Sequence, residues 1–489
     1  MNKKLFLILA AVIALSPACS GKKTGASSEF RYGFTTEPST LDPLNPGNTA
    51  DGRSILFNVF EGLVKPDTTG EMKPCVAETL TIEQGGRVYN FTIREGVRFH
   101  DGSVLTAGDV KFSLDAAIDA GFIGLDRIED VSVTGENQIR VTLKEPDPEF
   151  LPYMTTGIVK AGNTEREKNI IGTGPFYIES YTIQQTLVLK KFADYWQPDL
   201  PHLEKVTIVF FANYDALMVA IRGGGINGAS ITGPMAAQLD HRKINIIHSY
   251  SAAVQLLALN NECPPLNDIR VRRALNYGID VQDIIDTAFF GVGVPSGSPI
   301  IPGLSAYYQS SLEYPYEPDT AKSLLPQDDF ELEITVPSNY SMHVDTAQVI
   351  ANQLSKIGVT VTIKLVDWAT WLSDVYFGRN YMGTIISLDS PIVSPKSFLN
   401  RYYSTNSSNF INFSNSDFDR IYDSILVETD ETKRIGLYRD AQRAITENAA
   451  SVFIQDILYY KAIDRSYDGV LEYPLYVIDF ASIYEIPKN

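Results

Sequence analysis

The most informative stretch of the chain lies at residues 87–114 and reads RVYNFTIREGVRFHDGSVLTAGDVKFSL. Its segment YNFTI (89–93) alternates apolar and polar residues, which is the period-two pattern of a half-buried strand. The segment HDG (100–102) then supplies turn chemistry. Thr106 with Asp109 three residues later forms a capping-box pattern that opens a helix. The stretch therefore predicts a strand, a turn and a helix in close succession.

Outside this stretch, short strands and amphipathic helices continue to alternate, without low-complexity blocks or a fixed-period repeat. An apolar stripe predicts a helix over 51–63. Short strands from Val452 on are expected to return to an earlier sheet, which would make one domain discontinuous. The other predicted elements are a hairpin over 131–143, a turn at 172–175, strands at 176–181, 186–190, 331–336 and 359–366, and helices at 214–222, after Asp268, after Asp280, at 347–356 and between 417 and 448.

Composition and charge limit the classes of protein that the chain can belong to. It has 489 residues, 44% of them hydrophobic and 20% charged, which is enough apolar material for two or three domains. The formal net charge of −18 opposes nucleic-acid binding, because such binding uses clustered Lys and Arg to neutralise phosphates. We therefore expect no nucleic-acid partner.

The N-terminus has the layout of an export signal. Lys3 and Lys4 precede an apolar run at 5–15, which is too short to span a bilayer as a helix, and small residues lead to Cys19. A cysteine at this point resembles a bacterial lipobox, although Ser16 stands where an aliphatic residue is usual. We therefore predict a signal peptide over 1–18 and lipidation of Cys19.

Residues 19–28 then form a flexible lipidated tether, rich in Gly, Ser, Lys and Thr. The expected location is the periplasmic face of a bacterial membrane. The alternative is a signal cut near Ala18 that leaves a soluble periplasmic protein.

The stretch 87–114 resembles the signature segment of the bacterial extracytoplasmic solute-binding proteins that serve peptide and nickel importers. Four further segments agree with this family in order and spacing, and together they cover most of the mature chain. They are Glu37-Pro38 with Leu41-Asp42-Pro43, GTGPF at 172–176 with ADYW at 193–196, PLNDIRVRRALNYGI at 265–279, and IGVTVTIKLVDWATW at 357–371.

The resemblance implies an α/β, bilobed fold of the type II periplasmic-binding-protein kind, with mixed sheets and an extra domain in the first half. A monomer of this kind would enclose a peptide between two closing lobes and deliver it to the permease subunits of an ABC importer, without a cofactor, a metal or catalysis. The expected division is lobe I at 29–60, 170–258 and 456–489, the extra domain at 61–169, and lobe II at 259–455.

The resemblance also implies ligand-binding residues. In peptide-binding members an Asp within a Trp-x-Ala-Asp-Tyr segment pairs with the ligand's ammonium. Asp389 occupies that place in this chain. The resemblance also implies that main-chain groups of Ile386 and Ser387 form hydrogen bonds with the peptide. The flanking aromatic residues are absent, so an Asp that only caps a turn stays an alternative. From lobe I the family uses the loop that is here Gly47, Asn48 and Thr49, where the alternative is an ordinary loop.

Other ligands and other classes of protein stay open. Family members also bind oligosaccharides, nickel chelates, haem or glutathione, and the Tyr-rich and Phe-rich composition offers material for a sugar site. Trp196, Trp368 and Trp371 are predicted to serve packing. An extracellular hydrolase or an adhesive surface lipoprotein are the remaining alternatives.

No short catalytic motif favours an enzyme. The five histidines include no pair at zinc-helix spacing, and neither HExxH nor GxSxG occurs; the histidines are His100, His202, His241, His248 and His343. The match to GxGxxG at 223–228 follows a helix, whereas a dinucleotide site needs a preceding strand, so a turn after the helix is predicted. Cys75 and Cys263 are interpreted as isolated small buried residues, with a disulfide between them as the alternative.

Overall fold

The computed structural model describes residues 29–122, 124–249, 253–325, 330–389 and 394–487. The predicted signal peptide, Cys19 and the tether lie outside these residues. Among the helices in these ranges, none is both long enough and apolar enough to cross a membrane.

The strands are distributed along the whole chain. They are β1 Glu29–Phe34, β2 Val64–Pro66, β3 Met72–Pro74, β4 Ala77–Glu83, β5 Val88–Ile93, β6 Ile128–Gly135, β7 Gln138–Leu143, β8 Phe176–Thr182, β9 Thr186–Lys191, β10 Lys205–Phe210, β11 Gly228–Ile231, β12 Ile244–Ser249, β13 Ala253–Leu259, β14 Val294–Pro295, β15 Phe330–Pro337, β16 Val359–Val366, β17 Gly383–Asp389, β18 Ser451–Asp456, β19 Tyr459–Asp464, β20 Tyr467–Asp468 and β21 Tyr484–Glu485.

The helices lie mostly in the second half. They are α1 Ala50–Leu56, α2 Ala107–Asp119, α3 Tyr214–Arg222, α4 Gly233–Ala236, α5 Ile269–Gly278, α6 Val281–Ala288, α7 Pro318–Leu324, α8 Ser341–Ser355, α9 Trp368–Thr370, α10 Pro395–Leu399, α11 Ser416–Val427 and α12 Glu431–Glu447. A π-helical stretch, Trp371–Phe377, continues α9.

Two large mixed sheets form two lobes, as predicted. The sheet of the first lobe has the strand order β12-β19-β11-β1-β10-β9-β8, in which β1 runs parallel to β10 and β11. The sheet of the second lobe has the order β14-β18-β13-β17-β15-β16. Its strands have apolar residues on both faces, since Val254, Leu256 and Ala258 face one core while Leu257 and Leu259 face another.

The extra domain is built on a separate antiparallel sheet with the order β4-β5-β7-β6, against which α2 packs. The capping box that opens α2 is present, because Thr106 and Asp109 bond each other's backbone as predicted. One continuous hydrophobic cluster joins this domain to the first lobe, from Phe30 and Tyr32 of β1 to Tyr89 and Phe91 of β5. The first lobe and the extra domain therefore share a core, and the second lobe has its own.

The chain crosses between the lobes twice. The first crossing lies between β12 and β13, which belong to different sheets, and the second lies between β18 and β19. The strands after Val452 thus return to an earlier sheet as predicted, but β18 stays in the second lobe while β19 joins the first. Because β13 pairs with β17 and β18, residues 253–258 lie in the sheet of the second lobe rather than in lobe I.

The family-like segments at 100–102 and 172–176 lie against each other. His100 Nε2 is 3.0 Å from the carbonyl oxygen of Gly174, and the Gly172 amide donates to His100 Nδ1 at 3.2 Å. Burial lowers the pKa of His100 to about 4, so the ring is neutral at physiological pH. The Gly174 amide donates to the carbonyl of Val59, and a Cβ on Gly172 would lie 2.0 Å from that same oxygen.

This contact explains why the helix predicted over 51–63 ends early. Helix α1 stops at Leu56, because the carbonyls of Asn58 and Val59 accept hydrogen bonds from Phe176 and Gly174 instead of continuing the helix. The predicted apolar stripe is nevertheless buried, including Ile55, Val59 and Leu63.

The glycine-rich segment at 223–228 forms a turn after a helix, as predicted. Gly223 is the C-cap of α3 and Gly224 has a φ of +69°, while Gly228 begins β11. The strand therefore follows the glycines, the reverse of the order that a dinucleotide site needs.

Candidate functional site

A cavity of about 920 Å³ lies between the two lobes. Its lining residues come from α1 and the C-terminal segment of the first lobe, from the extra domain, and from β17 and the α9 region of the second lobe. Most of the lining is apolar, with polar side chains in a few places, which is the usual character of a small-molecule site. A ligand inside it would touch both lobes.

Strand β17 presents an unpaired backbone edge at this cavity. On one side all seven of its residues pair with β13, from Gly383 opposite Leu259 to Asp389 opposite Ala253. On the other side β15 pairs only with Gly383 and Thr384. Among the described strands none pairs with that second edge from Ile385 to Asp389, and the last four of these residues line the cavity.

The three predicted residues on β17 all reach the cavity. Ile386 is buried, Ser387 Oγ is withdrawn from solvent with no hydrogen-bond partner among the described residues, and Asp389 is exposed. Arg401 Nη2 donates to the backbone carbonyl of Asp389 at 2.9 Å, so this contact does not involve the carboxylate. The predicted turn residues after Asp389 lie outside the described ranges.

The predicted loop of the first lobe reaches the cavity only through Asn48. Its amide is engaged within the loop, donating to the Thr40 carbonyl at 3.0 Å and accepting from the Thr49 amide at 2.9 Å. Thr49 caps α1 by accepting from the Gly52 amide at 3.0 Å, and neither Thr49 nor Gly47 lines the cavity. Local capping chemistry thus accounts for Thr49, while Asn48 alone is placed to face a ligand.

Aromatic side chains cover one wall of the second lobe. Trp368 and Trp371 are stacked with ring centroids 5.0 Å apart and planes 7° apart, and Tyr340 meets Trp368 edge-on at 5.6 Å. Trp371 is buried and donates from Nε1 to Thr384 Oγ1 at 2.9 Å, so it packs as predicted. Trp368 is 39% exposed and lines the cavity, so sequence reasoning missed an aromatic surface that a ligand can touch. The two tryptophans are three residues apart, and this spacing alone does not indicate that Trp368 is exposed while Trp371 is buried.

Asp51 and two tyrosines lie near the second crossing, where the chain enters the first lobe at β19. Asp51, in the first turn of α1, accepts a hydrogen bond from the Tyr476 hydroxyl at 2.7 Å, and Tyr459 packs edge-on against Tyr476 at 4.9 Å. Desolvation, with Tyr214, Asp51 and Asp389 nearby, raises the pKa of Tyr459 to about 12. Asp51 of the first lobe and Asp389 of the second lobe therefore both lie near this hydroxyl.

A buried polar network lies beneath β13. Gln255 Nε2 donates to His343 Nδ1 and to Thr346 Oγ1, both at 3.0 Å, and Gln455 Nε2 donates to Gln255 Oε1 at 2.8 Å. Burial lowers the pKa of His343 to about 4, which keeps the ring neutral as a hydrogen-bond acceptor. His343 also lines the cavity, so this network fixes part of its wall.

The buried carboxylate of Glu61, at the start of the extra domain, serves structure. It accepts from the Tyr195 hydroxyl at 2.8 Å and from Trp196 Nε1 at 3.0 Å, which confirms the predicted packing role of Trp196. Cys75 Sγ donates to Glu61 at 3.4 Å and is not disulfide-bonded. Cys263 is also unpaired but half-exposed rather than buried, because it lies on the loop before α5. Within the described ranges no His, Cys, Asp or Glu side chains cluster in a way that could hold a metal ion.

Comparisons with known proteins agree with this architecture. Residues 71–410 match the model of the family described as bacterial extracellular solute-binding proteins, family 5, middle region. The chain is 27% identical to the probable deoxycholate-binding periplasmic protein YgiS of Escherichia coli K12, covering 89% of this chain and 88% of that protein. It is 29% identical to the glutathione-binding protein GsiB of Salmonella typhimurium LT2, covering 73% of this chain and 72% of that protein.

A solved structure shares the fold. The periplasmic binding protein DppA from Helicobacter pylori, in complex with the peptide STSA, superposes with a TM-score of 0.75 at 23% identity. The alignment covers 94% of this chain and 98% of that chain.

Proposed function

Because the chain belongs to the bacterial extracellular solute-binding proteins of family 5, and is thus the solute-binding component of an ABC importer rather than an enzyme, we propose that its ligand is a peptide. The peptide lies in the cavity between the lobes. Closure around it then presents the occupied protein to the permease, because a ligand that touches both lobes favours the closed form by its differential affinity.

The unpaired edge of β17 is the observation that carries this proposal. An extended peptide laid along Ile385–Asp389 adds a strand to the sheet and satisfies its own backbone donors and acceptors there. The side chains of the peptide then point alternately to the two faces of that strand. Main-chain recognition of this kind accepts many sequences.

The ammonium of the peptide pairs with Asp389 in this arrangement. The carboxylate lies at the end of the unpaired edge, on the cavity, and no Lys or Arg of the described residues forms an ion pair with it. A buried ammonium without such a partner would cost several kcal/mol. Ser387 Oγ, also without a partner, can donate to a peptide carbonyl.

Trp368 favours a second candidate, a ligand with a flat apolar or sugar face. Its exposed ring on the cavity wall can stack on such a face. The similar proteins named for deoxycholate and glutathione binding differ in ligand, so the family allows both possibilities.

The lipid anchor at Cys19, the monomeric state and the domain division belong to the same proposal. The division follows the sheets, with residues 29–60, the segment from 170 to the crossing before Ala253, and the segment from Tyr459 onward as the first lobe. The extra domain keeps the bounds 61–169.

The experiment is native mass spectrometry of the folded chain expressed without residues 1–18, followed by release and identification of copurified molecules. Peptides of several masses support the proposal. A single sugar, steroid or metal complex would contradict the peptide assignment and favour the second candidate. Mass analysis of the chain exported by a bacterial host tests the anchor separately, because diacylation adds a lipid mass to Cys19.

A further inference from the structure

Asp51 is a carboxylate on the cavity wall of the first lobe. It lies in the first turn of α1, only 7% of the residue is exposed, and it lines the cavity. Asp51 lies between the family-like segments at 37–43 and 87–114, so no motif singled it out.

The partners of Asp51 are neutral. Tyr476 donates its hydroxyl to Oδ1 at 2.7 Å, and Thr36 lies close to the same carboxylate. No Lys or Arg in the described ranges forms an ion pair with it; the nearby Arg53 donates to the Asn48 carbonyl at 2.7 Å.

Two other buried carboxylates, Asp479 and Asp147, have cationic partners. Asp479 pairs with Lys65 at 2.9 Å, and Asp147 pairs with Lys396 at 2.7 Å. Asp51 alone of these three both faces the cavity and has no cation beside it. Glu61 also borders the cavity without an ion-pair partner in the described ranges, but four neutral side chains donate to it, namely Tyr195, Trp196, Thr173 and Cys75, whereas Asp51 accepts from the Tyr476 hydroxyl.

A carboxylate withdrawn from water needs either a proton or a cation. Desolvation raises the pKa of Asp51, while the hydrogen bond from Tyr476 and the neighbouring Thr36 oppose that shift by favouring the charged form. A positively charged group entering the cavity would supply the missing partner.

We infer that Asp51 binds a positively charged group of the ligand from the first lobe, so that the substrate class is amine-bearing or guanidine-bearing molecules. This rests on the proposed function, since it takes the cavity to be the ligand site. Asp389 lines the same cavity from the second lobe, and both carboxylates lie near the Tyr459 hydroxyl. Basic peptides, which carry a side-chain cation as well as an ammonium, can therefore meet one carboxylate of each lobe.

The test compares wild type with Asp51→Asn and with Asp119→Asn, an exposed acid of α2 whose loss changes net charge equally. Each protein is unfolded, freed of ligand, refolded and incubated with a casein hydrolysate supplemented with a bacterial metabolite extract. Native mass spectrometry then quantifies the molecules that are captured. The Asn side chain can keep the hydrogen bond from Tyr476, so thermal melting of Asp51→Asn is expected at or above the wild-type temperature.

The expected result is that wild type and Asp119→Asn capture molecules with a basic nitrogen, enriched in Lys- and Arg-containing peptides. Asp51→Asn is expected to capture these at least tenfold less, while uncharged or acetylated molecules are unaffected. Equal capture of basic peptides by Asp51→Asn and wild type would overturn the inference and leave the peptide function standing.

Three other outcomes are also decisive. Capture of non-peptide amines that Asp51→Asn loses would support the inference while contradicting the peptide assignment. Capture of molecules without a basic nitrogen, or of nothing at all by the wild type, would overturn both.

Discussion

At the scale of single residues, Asp389 combines an exposed carboxylate with the end of an unpaired strand edge. Asp389→Asn is expected to weaken binding of peptides with a free N-terminus by roughly 10- to 100-fold, the effect of losing about 1.5–3 kcal/mol from a charged hydrogen bond. Isothermal titration with matched free and N-acetylated peptides measures this. An equal loss for both forms would show that the Asp does not contact the ammonium.

His343 gives the protein a defined pH dependence of stability. Its pKa is lowered from 6.5 to about 4, so the unfolded chain takes up a proton first as the pH falls, and stability is lost between pH 6.5 and 4. This loss amounts to about 3 kcal/mol at pH 4, at 1.36 kcal/mol for each pKa unit.

The variant His343→Gln can still accept the hydrogen bond from Gln255 and is expected to lose correspondingly less stability over this range. Urea unfolding at several pH values measures the difference. His100, whose pKa is also lowered, remains in both proteins, so the difference isolates His343. Parallel pH curves for the two proteins would rule out this origin.

At the residue scale, the family-like segments contain residues that the structure places on the cavity, and their role as ligand contacts stays a prediction. Ile386, Ser387, Asp389 and Asn48 were predicted from family-like segments, and all four line the cavity. Asp51 and the exposed face of Trp368 depend on which side chains meet across the lobes, which no local pattern contains. Gly47 and Thr49 were predicted from the same loop as Asn48, yet capping of α1 explains Thr49 and neither residue lines the cavity.

At the scale of elements, the two tryptophans of the helical turns at 368–377 both border the cavity but differ in exposure, since Trp368 is exposed and Trp371 is buried. Trp368→Ala is expected to leave the melting temperature nearly unchanged and to weaken binding of ligands with aromatic or ring faces, since its ring is 39% exposed on the cavity. Trp371→Ala is expected to cost about 3–5 kcal/mol of stability, because it removes a buried ring. Thermal melts and binding titrations on both variants check this, and equal destabilisation by the two would contradict it.

The extra domain is tied to the second lobe by buried charges. Asp147 pairs with Lys396 of α10 at 2.7 Å, and Glu149 pairs with Arg434 of α12 at 3.4 Å. Removing one partner of a buried ion pair costs about 3–5 kcal/mol of stability. Because Arg127 still contacts Asp147, Lys396→Met is expected to lower the free energy of unfolding by a smaller amount, about 2–4 kcal/mol. Urea unfolding measures this loss.

The matched control for this prediction is Lys160→Met, which breaks the more exposed pair with Asp101. It is expected to cost under about 1 kcal/mol, as exposed ion pairs do. Equal costs for the two lysine variants would mean that the pair between domains is not important for stability.

Most elements could be predicted from periodicity and capping, as the match of α3 to 214–222 illustrates. Helix α1 could not, because its end is set by hydrogen bonds to the turn at 172–176, more than a hundred residues away in sequence. Strand β18 and strand β19 are separated by two residues but belong to different sheets, and local sequence holds no signal for that exchange.

At the scale of the whole molecule, the first lobe and the extra domain share one core, and the second lobe has its own. The two crossings, before β13 and after β18, are the covalent links between these bodies. Asp389 and Tyr459 both lie beside these crossings, since Asp389 pairs with Ala253 at the start of β13 and Tyr459 begins β19.

Small-angle X-ray scattering on one preparation tests the central claim, that this is a solute-binding protein whose lobes close on a peptide. The protein is unfolded to remove ligands, refolded, and measured before and after addition of a casein-derived peptide mixture. We predict a smaller radius of gyration when peptides are present. After the peptides are removed by dialysis, the radius is expected to return to the value of the ligand-free protein. An unchanged radius, at peptide concentrations where native mass spectrometry shows binding, would contradict closure around the ligand.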